Sequence, residues 1–238
     1  MGHLWGGLLG GFQRAFLDFL GDFLSLPANY RPIALLPIGY KVLAALMHQR
    51  LIDGGVDQHI NPWQFGFRKG RPTADALSIV RRTVDAASQH GGDGLIMLLP
   101  DWSKAFDRIK KDSLTHALKR FGLPGHIVNM IAAIYESRRF FIHDHSGVSS
   151  TCTQAAGIAQ GCPLSPFLFI LVQSVMMHDI LASVELEAEP PYLMSRTLMY
   201  ADDTRLMSSS VRNLQGLLQK VVDQGLGRLA RISRRNLK

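Results

Sequence analysis

The stretch Leu198-Met199-Tyr200-Ala201-Asp202-Asp203-Thr204 sets two adjacent carboxylates between apolar and polar flanks. Upstream, Leu98-Leu99-Pro100-Asp101-Trp102-Ser103-Lys104-Ala105-Phe106-Asp107-Arg108-Ile109 places another acid directly after an apolar run. Residues 198–200 and 205–207 flank 201–204, which predicts a hairpin whose tip carries Asp202 and Asp203. Residues 95–99 (LIMLL), bounded by Gly94 and Pro100, predict a fully buried strand with Asp101 at its end. Carboxylates at adjacent strand ends can jointly hold hard divalent cations, because Mg²⁺ takes oxygen ligands and retains waters and substrate phosphates. Two such ions about 3.5–4 Å apart stabilise the attacking and leaving oxygens of phosphoryl or nucleotidyl transfer. An Asp-Asp pair by itself is ordinarily a solvated turn. The surroundings decide.

Outward from these acids the chain alternates helices and strands. Val42, Leu43, Leu46 and Leu51 predict an amphipathic helix over 40–51, and Thr73 is a candidate N-cap for a helix carrying Leu77, Val80, Val84 and Ala87. Helices over 112–121 and 125–136 are separated by the breaker Gly122-Leu123-Pro124. Residues 138–143 and 150–155 predict two strands about a polar turn, and 165–180 a buried helix. A last helix runs from Val211 to about Ile232 on Leu214, Leu217, Leu218, Val221, Leu226 and Leu229. The βαβ spacing of a doubly wound sheet is missing, so the expected class is α+β.

Composition limits the alternatives. The 238 residues are 47% hydrophobic, with 26 Lys+Arg against 19 Asp+Glu for a net charge of +7. This excludes a disordered chain, a collagen-like repeat and a small disulfide scaffold. With only Cys152 and Cys162, a four-thiolate zinc site is excluded as well. The positive balance permits a nucleic-acid partner without demonstrating one. The most apolar stretch, 167–177, is shorter than the roughly 20 residues that span a bilayer, so no membrane partner is expected. No targeting signal is legible.

Five strings in order then carry a resemblance: Asn29-Tyr30-Arg31-Pro32-Ile33, Gln64-Phe65-Gly66-Phe67-Arg68-Lys69-Gly70-Arg71, Asp101 through Asp107, Gly157-Ile158-Ala159-Gln160-Gly161-Cys162-Pro163-Leu164-Ser165-Pro166, and Tyr200-Ala201-Asp202-Asp203. Together these resemble the reverse transcriptase domain of non-LTR (LINE-type) retrotransposons, over about residues 28–238. The resemblance implies right-hand polymerase fingers and palm, an antiparallel palm sheet packed on helices, with the thumb absent. The implied divisions are a divergent segment 1–27, fingers 28–94 and palm 95–238. The implied activity is RNA-directed DNA synthesis with two Mg²⁺ (or Mn²⁺) ions, an RNA template, a DNA primer and deoxynucleoside triphosphates, inside the cell.

Carried over by position, Asp101 resembles the motif A metal ligand, and Asp202 and Asp203 the motif C acids. Phe106 resembles the steric gate, whose ring would clash with a ribose 2′-hydroxyl. Gln160 and Gly161 resemble motif B, where glycine lets backbone approach the incoming nucleotide. Arg31 resembles the fingers arginine that grips the triphosphate, and Lys104 is a further triphosphate contact. Arg68, Lys69 and Arg71 resemble the template-facing fingers loop, and Tyr200 a residue lining the primer. Asp107 reads as structural, a partner for a nearby base, and Trp102 as packing.

Four departures stand out. Pro100 precedes Asp101 where the family has an aliphatic strand residue, and proline removes a ladder donor. Ala159 replaces the usual motif B arginine. Residues 1–26 do not resemble the family, and the sequence given closes on Arg235-Asn236-Leu237-Lys238. These departures keep open a degenerate, inactive retroelement remnant that at most binds nucleic acid. An RNA-templated RNA polymerase is a third reading, which the bulk of Phe106 opposes.

Overall fold

The computed structural model describes residues 34–89, 94–102, 104–144 and 147–228. By internal contacts the chain divides into two units, Met1–Leu35 and Leu36–Lys238. The first lies almost wholly outside the described residues, as do Arg31 and the expected continuation of the last helix toward Ile232.

The second unit is α+β. In chain order it runs α1 (Ile38–Asp53), a short 3₁₀ turn (Val56–His59), α2 (Thr73–Gln89), β1 (Ile96–Leu98), α3 (Ala105–Arg108), α4 (Lys111–Arg120) and α5 (Gly125–Tyr135). It continues with β2 (Arg139–Phe140), β3 (His143–Asp144), β4 (Gly147–Val148), β5 (Cys152–Thr153), α6 (Ser165–Ala182), β6 (Thr197–Tyr200), β7 (Asp203–Ser208) and α7 (Val211–Arg228). The central sheet is antiparallel with order β1-β7-β6. Residues 63–65 lie against its β6 edge: the Phe65 N–H donates to the Met199 carbonyl at 2.9 Å, and the Met199 N–H to the Trp63 carbonyl at 2.8 Å.

Helix α6 is the centre of the core. Its sequence is mostly apolar with no polar stripe, the pattern of a core helix. Phe167, Leu168, Ile170, Leu171, Met177 and Ile180 are fully buried, each side chain stabilising the fold by about 1.5–3 kcal/mol. The helix extends beyond the apolar stretch read from sequence and, at 18 residues, is long and apolar enough to cross a membrane; 67% of it is buried inside the protein, as in a core helix. It packs on α4 and α7, while α7 lies against β7 and β1, and α2 against β6.

Two expected faces are corrected by the packing. Helix α1 buries Ala44, Met47 and Leu51 and leaves Val42, Leu43 and Leu46 exposed, because apolar residues occur all round it and tertiary contact selects the face. Strand β1 is half-buried: Met97 and Leu99 are exposed while Pro100 is buried. As an edge strand paired, among the described residues, only with β7, it lacks the two-sided cover of a central strand. The predicted hairpin near residue 145 splits into two short ladders, β2 with β5 and β3 with β4.

Candidate active site

Asp101 and Asp203 line one cleft of about 470 Å³, with Leu77 of α2 above it and Pro100, Tyr200 and Arg205 along its walls. The ladder explains the pairing. Ile96, Met97 and Leu98 oppose Ser208, Met207 and Leu206, so continuing that register sets Asp101 opposite Asp203. Strand β1 itself stops at Leu98, three residues before the acid, and Pro100 in between has no N–H to add to the ladder. Two carboxylates sharing one cleft repel, so this arrangement favours a cation between them.

The two-residue turn between β6 and β7 is Ala201-Asp202, since Tyr200 pairs with Asp203. Asp203 therefore opens β7 rather than sitting at the tip. Ala201 has φ 56°, a left-handed conformation in which a Cβ is strained, at a cost on the order of 1–3 kcal/mol. The turn is held from beneath by Gln64, which is fully buried. Its Oε1 accepts the N–H groups of Gly66 at 2.7 Å and Ala201 at 3.0 Å, and its Nε2 donates to the Ala201 carbonyl at 3.3 Å and to Gln173 Oε1. Gln173 Nε2 donates in turn to Thr204 Oγ1 at 3.2 Å. That hydroxyl also accepts from Trp102 Nε1 at 2.8 Å and donates to the Asp202 carbonyl at 3.3 Å. Trp102 is packed, as expected, and also polar-bonded.

The loop over 157–162 seats on α3. Ile158 N–H donates to the Phe106 carbonyl at 2.9 Å and Gly157 N–H to the Ile109 carbonyl at 2.8 Å. Gly157 has φ 96°, and a Cβ there would lie 2.9 Å from the Asp107 Cα, so glycine is required by close approach as well as by conformation. Asp107 accepts the Gln160 side-chain amide at 3.0 Å, an amide rather than the base expected. Gly161 is exposed with φ 101°. Phe106 is half-buried, stacked on Phe169 with centroids 4.5 Å apart and edge-on to Phe67 at 6.2 Å. Lys104 is exposed at φ 54°. Ala159, in the place of an arginine, is buried.

The three basic residues after Phe67 divide. Arg68 is turned inward, its side chain 5% exposed and paired with Asp57. It also donates to the carbonyls of Asp57, Asn61 and Gln64. The expectation of a template-facing Arg68 is corrected, because a guanidinium spent on five internal acceptor contacts is a staple. Arg71 donates to the Pro62 carbonyl and lies over the Phe65 ring. Lys69 is exposed.

Carboxylate oxygens suit a hard divalent cation, and Mg²⁺ characteristically takes one or two of them, completing its shell with water and phosphate. Asp101 and Asp203 supply such a pair across the cleft. Among the described residues no three His, Cys, Asp or Glu side chains stand together as a ready-made metal cluster, and Asp202 is not among the residues lining the cleft.

The profile of the reverse transcriptase (RNA-dependent DNA polymerase) family matches residues 22–233. The chain belongs to that family. This reverse transcriptase chain is 35% identical over 156 residues to the probable RNA-directed DNA polymerase from transposon X-element of Drosophila melanogaster, covering 65% of this chain and 16% of that protein. It is 30% identical over 199 residues to the retrovirus-related Pol polyprotein from the type-2 retrotransposable element R2DM of the same species, covering 83% and 18%. The chain thus spans less than a fifth of the length of these relatives. Among solved structures it resembles apo telomerase from Candida tropicalis, with TM-score 0.55, 11% identity, and 82% of this chain and 35% of that one covered. That likeness shows the polymerase fingers and palm fold.

Sequence reading missed Gln64, Gly66 and Gln173. The first two stand inside a string quoted for its basic residues, and their polar or small side chains carried the only available signal. Gln173 gave no signal beyond being one of a few polar residues in a mostly apolar helix.

Proposed function

We propose that this chain supplies the fingers (28–94) and palm (95–238) of an RNA-directed DNA polymerase of a non-LTR retrotransposon, extending a DNA primer on an RNA template. The observation that carries the reading is that Asp101 and Asp203 line one cleft beside the Ala201-Asp202 turn. Asp101 and Asp203 hold the divalent ions from the cleft, with Asp202 joining them from the adjoining turn on ion binding, and bound Mg²⁺ supplies charge stabilisation at the attacking and leaving oxygens. Tyr200 lines the same cleft, where a primer end would rest. Arg205 adds a cationic wall to that cleft, suited to a phosphate oxygen. Phe106, fixed by its stack on Phe169, bears on the sugar of the incoming nucleotide. Lys104 and Arg31 serve the triphosphate, Gln160 and Gly161 shape the loop beside it, and Lys69 faces the template.

The relatives named RNA-directed DNA polymerases support this reading, as does the family match. Primer extension on poly(rA)/oligo(dT) with Mg²⁺ tests it: extension abolished by Asp202→Ala is the expected result, and extension retained in that variant would remove the assignment. One observation favours the second reading, a catalytically inactive remnant that at most binds nucleic acid. Pro100 ends β1 short of Asp101. That reading gives the same fold with no extension by the unaltered chain.

A further inference from the structure

We infer that Gln64 is the positioning residue of the Ala201-Asp202 turn, setting the backbone from which Asp202 and Asp203 project. For the task of those acids the inference rests on the polymerase reading. For the geometry it rests on the structure alone.

A two-residue hairpin turn with positive φ at its first position ordinarily takes glycine there. Here that position is Ala201, at φ 56°. Something outside the hairpin must therefore hold the strained conformation. Gln64 grips both sides of the residue, accepting its N–H and donating to its carbonyl. No apolar side chain of the same size replaces two opposite polar contacts, and a carboxylate supplies only the accepting half. The remaining amide hydrogen of Gln64 goes to Gln173, and its other accepted bond comes from Gly66, so the side chain is saturated and cannot swing away.

The second half of the support lies on the β7 side of the turn. Thr204 accepts from Trp102 and Gln173 and donates to the Asp202 carbonyl. The turn is thereby tied to the residue after Asp101, to the core helix α6 and to the segment beside β6. Gln64, Gln173, Thr204 and Trp102 are all buried, and a fully satisfied buried network fixes one arrangement because every alternative leaves a group unpaired. Gln64 touches no reacting atom in this arrangement. It acts through the turn.

Hydrogen exchange of residues 198–204 and Mn²⁺ titration of the intact 238-residue chain test the inference, with Gln64→Met against Asn213→Leu. Asn213 is a buried polar residue bonded to Glu187 and Glu189, and its loss lowers stability elsewhere in the fold. Gln64→Met is expected to speed exchange in the turn about tenfold beyond Asn213→Leu, and to weaken Mn²⁺ binding by a similar factor, as loss of a buried partner implies. Equal exchange in the two variants at matched melting temperature overturns the inference. If Gln64→Met does not fold, Gln64→Glu keeps both accepted bonds and is read by the same exchange, with intermediate protection expected and full protection overturning the role. Should the unaltered chain bind Mn²⁺ no better than its Asp202→Asn variant, the polymerase reading fails while the exchange result still judges Gln64.

Discussion

Gly66 and Ala201 meet backbone to backbone: a Cβ built on Gly66 would lie 2.1 Å from the Ala201 nitrogen. Gly66 is not in a left-handed conformation, so its requirement is space alone. The fingers string and the acidic turn, far apart in sequence, are in this way parts of one construction.

Gly66→Ala is accordingly expected to lower stability by about 1–3 kcal/mol, the usual cost of overpacking a close contact. Urea denaturation measures it. An unchanged midpoint would mean that the turn moves aside freely, contrary to the saturated contacts beneath it.

Pro100→Leu restores an N–H where the ladder stops. The expected outcome is a longer β1, slower hydrogen exchange over 203–206 and tighter Mn²⁺ binding at Asp101. If neither changes, proline is not what ends the strand.

Arg68 and Lys69 separate structure from binding. Arg68→Met removes the partner of Asp57 and three carbonyls, and about 3 kcal/mol of stability should go with it. Lys69→Met should leave the melting temperature in place and weaken binding to a poly(rA)/oligo(dT) duplex, more so at low salt. Filter binding and thermal melts of both variants give the comparison. The reverse pattern would return Arg68 to the template.

Phe106→Ala removes a half-buried ring from its stack on Phe169. Discrimination between deoxynucleotides and ribonucleotides should relax in single-nucleotide incorporation assays. Unchanged discrimination with lowered stability would make Phe106 a packing residue only.

Glu189 governs acid stability. Burial pushes its carboxyl up, but hydrogen bonds from the Ser208 hydroxyl, the Ser209 N–H, Asn213 and the Ser209 hydroxyl outweigh that and bring it down from 4.5 to about 2. A depressed carboxyl stabilises the fold in its ionised form, so the contribution is complete above 4.5 and fades as pH falls toward about 2. It is of order 2 kcal/mol. Glu189→Gln should lower the melting temperature at pH 7 and flatten its decline between pH 5 and about 2. A parallel decline in both proteins would place the acid sensitivity elsewhere.

Much of this architecture is legible in the chain itself. The breaker Gly122-Leu123-Pro124 separates α4 from α5 where the sequence predicts it, because glycine and proline act locally on the backbone. The acidic strings, the α+β class and the family likewise depend on local pattern and order. Which face of α1 is buried, the inward turn of Arg68 and the half-exposure of β1 are not local properties. They follow from what each element meets after folding, and a guanidinium reads the same in sequence whether its acceptors are phosphates or the carbonyls of Asp57, Asn61 and Gln64.

The amino-acid sequence by itself determined which acids are the candidates, since Asp101, Asp202 and Asp203 are fixed by the runs around them. Only the tertiary structure decided which two of them share a cleft and what holds the turn in place. Asp101 and Asp203 line one cleft because β1 and β7 pair antiparallel, from segments about a hundred residues apart, and Ala201 keeps its left-handed turn through bonds to Gln64, 137 residues away. Hydrogen bonds and close contacts of that separation leave no periodicity in the chain. They exist only once the core helix and the sheet have brought their partners together.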